Sequence, residues 1–285
     1  MFHVYSVLCN PVKPTGMRHS SILLFFTGLC IVSGCNRNPY KNTNKVYRKE
    51  TKALSAQLRM QPPADSLQPP AYWVGTTNLG LRKPGFVIIH HTAQAACDKT
   101  LKTFTMPVSK VSAHYVICKD GTVHHMLNDY LRAWHAGVSK WGNMSDINSS
   151  SIGIEIDNNG FEPFTDAQVN SLLRLLGRLK KDYGIPAANF IGHSDIAPGR
   201  KVDPNRHFPW QLLAGQGYGL WYDTTGIQVP EGFNAVQGLR IIGYNVKDSM
   251  AAIGSFKLHF VQQDSTRVLT DDDRKIIVDL MNKCQ

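Results

Sequence analysis

The sequence predicts an α/β fold, a mixed central sheet flanked by helices, followed by a small C-terminal helical domain. Three observations predict it. Short apolar runs rich in β-branched residues recur at Phe86–Ile89, Tyr115–Cys118 and Ser151–Ile156, with a further one at Asn189–His193, which suits buried strands. One amphipathic stretch between them, Val169 to Tyr183, has helical spacing. The pair Asp120-Gly121 separates Tyr115–Cys118 from Thr122–Met126 as a hairpin turn does. The chain has 285 residues, 42% hydrophobic and 18% charged, which is enough for a sizeable core and too apolar for disorder.

Taken in order, the elements begin with an export signal. Ile22–Val32 is an apolar run of eleven residues behind Arg18 and His19, too short to cross a hydrocarbon core of about 30 Å. It ends in Val32-Ser33-Gly34-Cys35, small residues before a cysteine, as in a bacterial lipobox. Residues 1–34 are therefore expected to be a lipoprotein signal peptide, with Cys35 acylated as the mature N-terminus and Met17 a workable alternative start. Residues 35–70, rich in Asn, Lys, Gln and Pro without a sustained apolar period, read as a flexible tether.

The first folded domain is expected over 71–225. Its first strand ends at His90-His91-Thr92; in the Ser151–Ile156 strand, alternation puts Ile152, Ile154 and Ile156 on one face and Glu155 on the other. Thr165 and Gln168 have capping-box spacing, and Leu172, Leu176 and Leu179 form an apolar stripe that Gly184 and Pro186 end. A second unit is expected over 230–285, where Thr270 and Asp271 to Asp273 make a capped, dipole-favourable helix start before Ile276, Ile277 and Leu280.

Several classes are excluded. Six cysteines without a CxxC or CxxH pair rule out a disulfide scaffold or zinc finger. There is no HExxH, Walker loop, GxGxxG or GxSxG. The net charge of +10 suits an anionic neighbour, but the absence of a concentrated Lys/Arg stripe and the export signal argue against nucleic acid. Cys118 is expected as a buried thiol, with the pairing of Cys97, Cys118 and Cys284 open. The tryptophans Trp134, Trp141, Trp210 and Trp221 read as packing before sugar stacking.

The chemistry-bearing residues are dispersed. His90 ends a strand, Glu155 sits in another, His193 follows a third, and Lys201-Val202-Asp203-Pro204 closes a loop. Two imidazoles and a carboxylate, with water in a fourth position, form a common catalytic zinc shell, although eleven histidines allow many trios. The segments FVIIHHTA, VSAHYVICKDGTVHHML, AWHAG, IGIEI and GHSDIAPGRKVDPNRHFPW, in this order over about 84–212, resemble the type 2 zinc-dependent N-acetylmuramoyl-L-alanine amidases, the AmpD/AmiD-like family related to peptidoglycan recognition proteins. The resemblance implies one zinc ion per chain on His90, His193 and Asp203, with Glu155 and Lys201 catalytic and His91 a variable neighbour. It also places Tyr115 and His135 along the substrate cleft.

The implied activity is hydrolysis of the amide between the lactyl group of N-acetylmuramic acid and L-alanine, on peptidoglycan or muropeptides. Alternatives are a non-catalytic peptidoglycan-binding protein on the same fold and a zinc peptidase of stem peptides; the joint presence of ligands, base and lysine favours catalysis. The C-terminal segments GLRIIGYNV, FKLHFVQQ and LTDDDRKIIVDLM resemble a small peptidoglycan-binding domain, departing from it at Asp264-Ser265-Thr266-Arg267, so glycan binding and a stabilising appendage both stay open. The expected protein is a monomer in the cell envelope, held to the membrane by its lipid anchor. Asn36 after Cys35 favours the periplasmic face of the outer membrane.

Overall fold

The computed structural model describes residues 38–60 and 76–284. The expected signal segment, Cys35 and the rest of the expected tether lie outside the described residues. Within the expected tether, Lys41–Leu58 is an 18-residue helix, α1, with no buried residue. The sequence reads here as a flexible tether without a sustained apolar period, and this part of it is helical. None of its residues is buried, so packing does not hold it, but Lys, Glu, Ala, Leu and Gln have an intrinsic preference for the helix.

The described residues from 76 onward form one compact unit. Its sheet has the order β3-β2-β4-β1-β5, with β1 at Phe86–His91, β2 at Tyr115–Ile117, β3 at Val123–His125, β4 at Ser151–Ile156 and β5 at Phe190–Gly192. β1 runs parallel to β4 and β5, and β2 runs parallel to β4, while β2 and β3 form the expected antiparallel hairpin. Helix α2 (Cys97–Thr105) precedes the hairpin, and the short α3 (Ile147–Ser150) precedes β4.

One sheet face carries Val87, Ile89, Ile117, Ile152, Ile154 and Ile156 against Leu172, Leu176 and Leu179 of α4 (Asp166–Tyr183). The Thr165/Gln168 capping box forms as the spacing predicts, and Gly184 ends the helix in the left-handed conformation at φ 65°. On the other face Ile88 and Ile191 pack with Ala136, Ile147 and Ile196. That face, at the C-terminal ends of β1 and β4, also carries His90 and Glu155, which are register partners on adjacent strands.

After β5 come α5 (His193–Ile196) and α6 (Trp210–Gly215), then α7 (Ala235–Ile242), α8 (Ser249–Phe256) continued by a π-helical turn at Lys257–Val261, and α9 (Asp271–Lys283). Leu239, Ile253, Phe256, Phe260, Ile277 and Leu280 make the core of these last helices, with Trp141 and Trp221 packed against it. A disulfide joins Cys97 at the start of α2 to Cys118 at the end of β2. Cys118 is thus not the free buried thiol expected; two short-range elements bring the two sulfurs together, which spacing alone does not reveal.

Candidate metal centre

Three side chains separated widely in sequence meet where β1, β5 and the loop after α5 converge. Nδ1 of His90 and Nδ1 of His193 are 2.9 Å apart, and Oδ2 of Asp203 lies 3.1 Å from the first and 2.9 Å from the second. All three residues are buried. The backbone also links them, since Ser194 N–H donates to the Asp203 carbonyl at 2.8 Å.

The hydrogen-bond network assigns both imidazole tautomers. Ser151 Oγ–H donates to the Ile147 carbonyl at 2.6 Å, so Ser151 Oγ is free to accept from His135 Nε2 at 3.1 Å. His135 Nδ1 then accepts from His90 Nε2 at 3.0 Å, which leaves His90 Nδ1 a bare lone pair. On the opposite side His193 Nε2–H donates to the Ala136 carbonyl at 3.1 Å, so His193 Nδ1 is a lone pair too. Two nitrogen lone pairs and a carboxylate oxygen facing one another repel unless a cation lies among them. Two imidazoles, each braced from behind, and one carboxylate suit Zn²⁺ with an open position for water.

Protonation states agree with this. Burial, with His193 adding, holds the His90 imidazole down at about 4, and burial likewise holds His135 well below the ordinary histidine value. Burial alone would raise Asp203, but positive charge shared with His193 and His90, from a proton when no metal is bound, outweighs it and keeps the carboxylate well below its usual range. Among the described residues a second trio, Cys97, Cys118 and His124, is also close, but its cysteines are bonded to each other and offer no thiolate.

The trio opens into a cleft of about 440 Å³ that Glu155, Lys201, His91 and Trp134 also line. Burial, with the Asp203 charge adding and Lys201 opposing, pushes the Glu155 carboxyl up to about 8. Its Oε2 has no hydrogen-bond partner, the state expected of a carboxylate kept free to move a proton. Glu155, Lys201, His90, His193 and Asp203, the five residues the sequence nominated, are therefore together at one site.

Two nominations change. Tyr115 does not reach the cleft: it is the register partner of Ile154, whereas its neighbour Val116 partners Glu155, so alternation turns Tyr115 to the α4 face. There its hydroxyl donates to Asp129 at 2.6 Å and accepts from Arg178. His135 lines the cleft, but both of its ring nitrogens are engaged, so its place is behind His90. The AWHAG segment signals His135, and the GHSDIAPGRKVDPNRHFPW segment contains Arg200, whose Nη2 donates to the Ala136 carbonyl at 2.6 Å, whereas nothing local signals Ser151. Gly153 makes room for this arrangement, since a Cβ there would stand 2.4 Å from the His135 ring. Of the tryptophans, Trp210 is buried and Trp134 is 52% exposed on the cleft rim.

Comparison with known proteins adds the family. The family model for N-acetylmuramoyl-L-alanine amidase matches residues 80–206. N-acetylmuramoyl-L-alanine amidase AmiD of Escherichia coli (strain K12) is 33% identical over 206 residues, covering 61% of this chain and 74% of the relative. The 1,6-anhydro-N-acetylmuramyl-L-alanine amidase AmpD of Haemophilus influenzae is 42% identical over 103 residues, 36% of this chain; the match spans 56% of that relative. Among solved structures, E. coli AmiD in complex with anhydro-N-acetylmuramic acid-L-Ala-D-gamma-Glu-L-Lys superposes with a TM-score of 0.65 at 29% identity, covering 73% of this chain and 93% of that one. AmpDH3 from Pseudomonas aeruginosa gives 0.65 at 27% identity, covering 78% and 98%. With a relative one-third identical over three-quarters of its length and the same sheet-and-helix frame, this chain belongs to the type 2 N-acetylmuramoyl-L-alanine amidase family.

Proposed function

We propose that the protein is a zinc amidase that cleaves the amide between the lactyl group of N-acetylmuramic acid and the L-alanine of the stem peptide, in cell-wall turnover. The observation that carries this is the convergence of three proton-free donor atoms beside an unpartnered, raised carboxyl at the floor of a cleft. One zinc ion held by His90, His193 and Asp203 would polarise the scissile carbonyl and make water acidic enough to deprotonate near neutral pH. Glu155 Oε2 would take the proton of the attacking water and pass it to the leaving amine nitrogen of L-alanine. The Lys201 ammonium at the cleft wall would stand against the negative charge that develops on the carbonyl oxygen. His135 and the Ala136 carbonyl hold the two imidazoles in the tautomers the site needs.

The same reading extends to location. Acylated Cys35 would anchor a monomeric enzyme at the periplasmic face of the outer membrane, and Cys35→Ser is expected to release it to the soluble fraction. Unchanged sedimentation with membranes would sink the anchor.

Activity is tested by mass spectrometry of products after incubating residues 36–285 with purified peptidoglycan, with zinc and then with chelator. Stem peptides with free N-terminal alanine that chelator abolishes are expected. Binding without products would make it a binding module, and cuts inside the stem peptide a peptidase. His193→Ala and Asp203→Ala are each expected to lose stoichiometric zinc, read by elemental analysis.

A further inference from the structure

The histidine of the C-terminal FKLHF segment does not face solvent, where a glycan could reach it. His259 is 3% exposed, and its ring stacks on Trp210 at 3.9 Å between centroids with Phe260 on its other side at 4.0 Å. Its Nδ1 donates to Oδ2 of Asp195 at 2.7 Å. Tyr244, which follows α7, donates its hydroxyl to Oδ1 of the same carboxylate at 2.8 Å. Asp195 is fully buried. Its one remaining hydrogen bond is from the Gly192 N–H to Oδ2 at 2.7 Å.

Asp195 lies two residues after His193, in a helix of only four residues. Such a helix is too short to hold itself, because nucleation of a turn is unfavourable without tertiary support. A buried carboxylate is tolerated only when its oxygens are satisfied, and here both side-chain donors come from the C-terminal helices. Removing them leaves the carboxylate to rotate toward water or to pull on the Gly192–His193 backbone that presents Nδ1 of His193. We propose that Tyr244 and His259 are positioning residues: through Asp195 the C-terminal helices fix the backbone of the metal ligand His193, and with it the affinity and geometry of the metal site. The FKLHF histidine is thus an internal brace. The inference rests on reading His193 as a metal ligand.

The test uses the full-length mature chain as wild type and with Tyr244→Phe, His259→Leu, His259→Asn and Thr270→Ala. Zinc affinity is measured by competition with a chromogenic chelator, at a temperature where every variant is folded, and the visible spectrum of the cobalt-substituted protein reports ligand geometry. His259→Leu is expected to weaken zinc about tenfold or more and to alter the cobalt spectrum. His259→Asn, whose amide N–H stands where Nδ1–H stood, should recover much of the loss. Tyr244→Phe removes one hydroxyl without changing the ring and carries the same test should His259→Leu fail to fold. Thr270→Ala, which breaks the α9 capping box and removes no hydrogen bond to Asp195, should lower the melting temperature and leave zinc affinity and spectrum unchanged. Wild-type zinc binding with unaltered affinity and spectrum in the Tyr244 and His259 variants would overturn the brace alone. Failure of the wild type to take zinc would overturn the ligand reading and the brace with it.

Discussion

Glu155 shows how a buried carboxyl strains the protein that holds it. Folding shifts its carboxyl from an ordinary 4.5 to about 8, so the folded state prefers the protonated form. That preference contributes fully below about pH 4.5 and is lost as pH rises through 8. In metal-free protein, Glu155→Gln is therefore expected to stabilise by about 1–3 kcal/mol at pH 8 and by little at pH 5. Thermal melts with chelator across that range check it, and equal melting curves at pH 8 would count against a buried, raised carboxyl. With zinc restored, the same variant should keep its metal and lose turnover. At this scale the proposed ligands, the carboxylate and the lysine were legible because family motifs carry them. The brace behind His90 was not, because Ser151 is an ordinary strand residue until folding brings His135 onto Gly153. His135→Ala is expected to weaken zinc about 10- to 100-fold, measurable by the same chelator competition.

The elements were legible where periodicity and capping agree. The four strand-forming runs, the Asp120-Gly121 hairpin, the Thr165 capping box and the Thr270 helix start all form at or within a residue or two of their expected places. The resemblance implied a place along the cleft for Tyr115, but the pairing of β2 with β4 sets the register that turns it to the α4 face. The π-helical turn hides a more surprising residue. Lys257, which in an amphipathic stretch reads as solvent-facing, is 1% exposed, with its ammonium 2.5 Å from Asp264 and 3.0 Å from Asp273. It also donates to Thr266 Oγ1 and to the Val268 carbonyl. The departure from the family pattern at Asp264–Arg267 thus has a structural use: it closes a loop over a buried cation. Lys257→Met leaves Asp273 buried without its cation and is expected to cost about 3 kcal/mol in urea unfolding. Loss under about 0.5 kcal/mol would mean the pair is solvated.

At the scale of the whole molecule, the Cys97–Cys118 bridge ties α2 to the sheet, and Thr103 and Phe104 of α2 line the cleft. Closing a loop of this length restricts the unfolded chain by about 3 kcal/mol. Reduction should lower the melting temperature by several degrees and raise KM for muropeptides while leaving zinc content unchanged; melts and kinetics with and without reductant decide it. The hydrogen bonds that join the C-terminal segment to Asp195 were illegible in sequence, because Tyr244 and His259 lie 49 and 64 residues beyond it and share no periodicity with it.

Helix α1 bears on how far an anchored enzyme can search. Eighteen helical residues advance about 27 Å, where the same residues fully extended would reach about 60 Å. Under the anchored reading, a tether that spends part of its length as a helix confines the catalytic unit to a smaller volume. The effective concentration of enzyme for wall lying within that reach rises accordingly, and falls steeply for wall beyond it. Residue composition in a segment without any core would then decide which layer of the wall is trimmed.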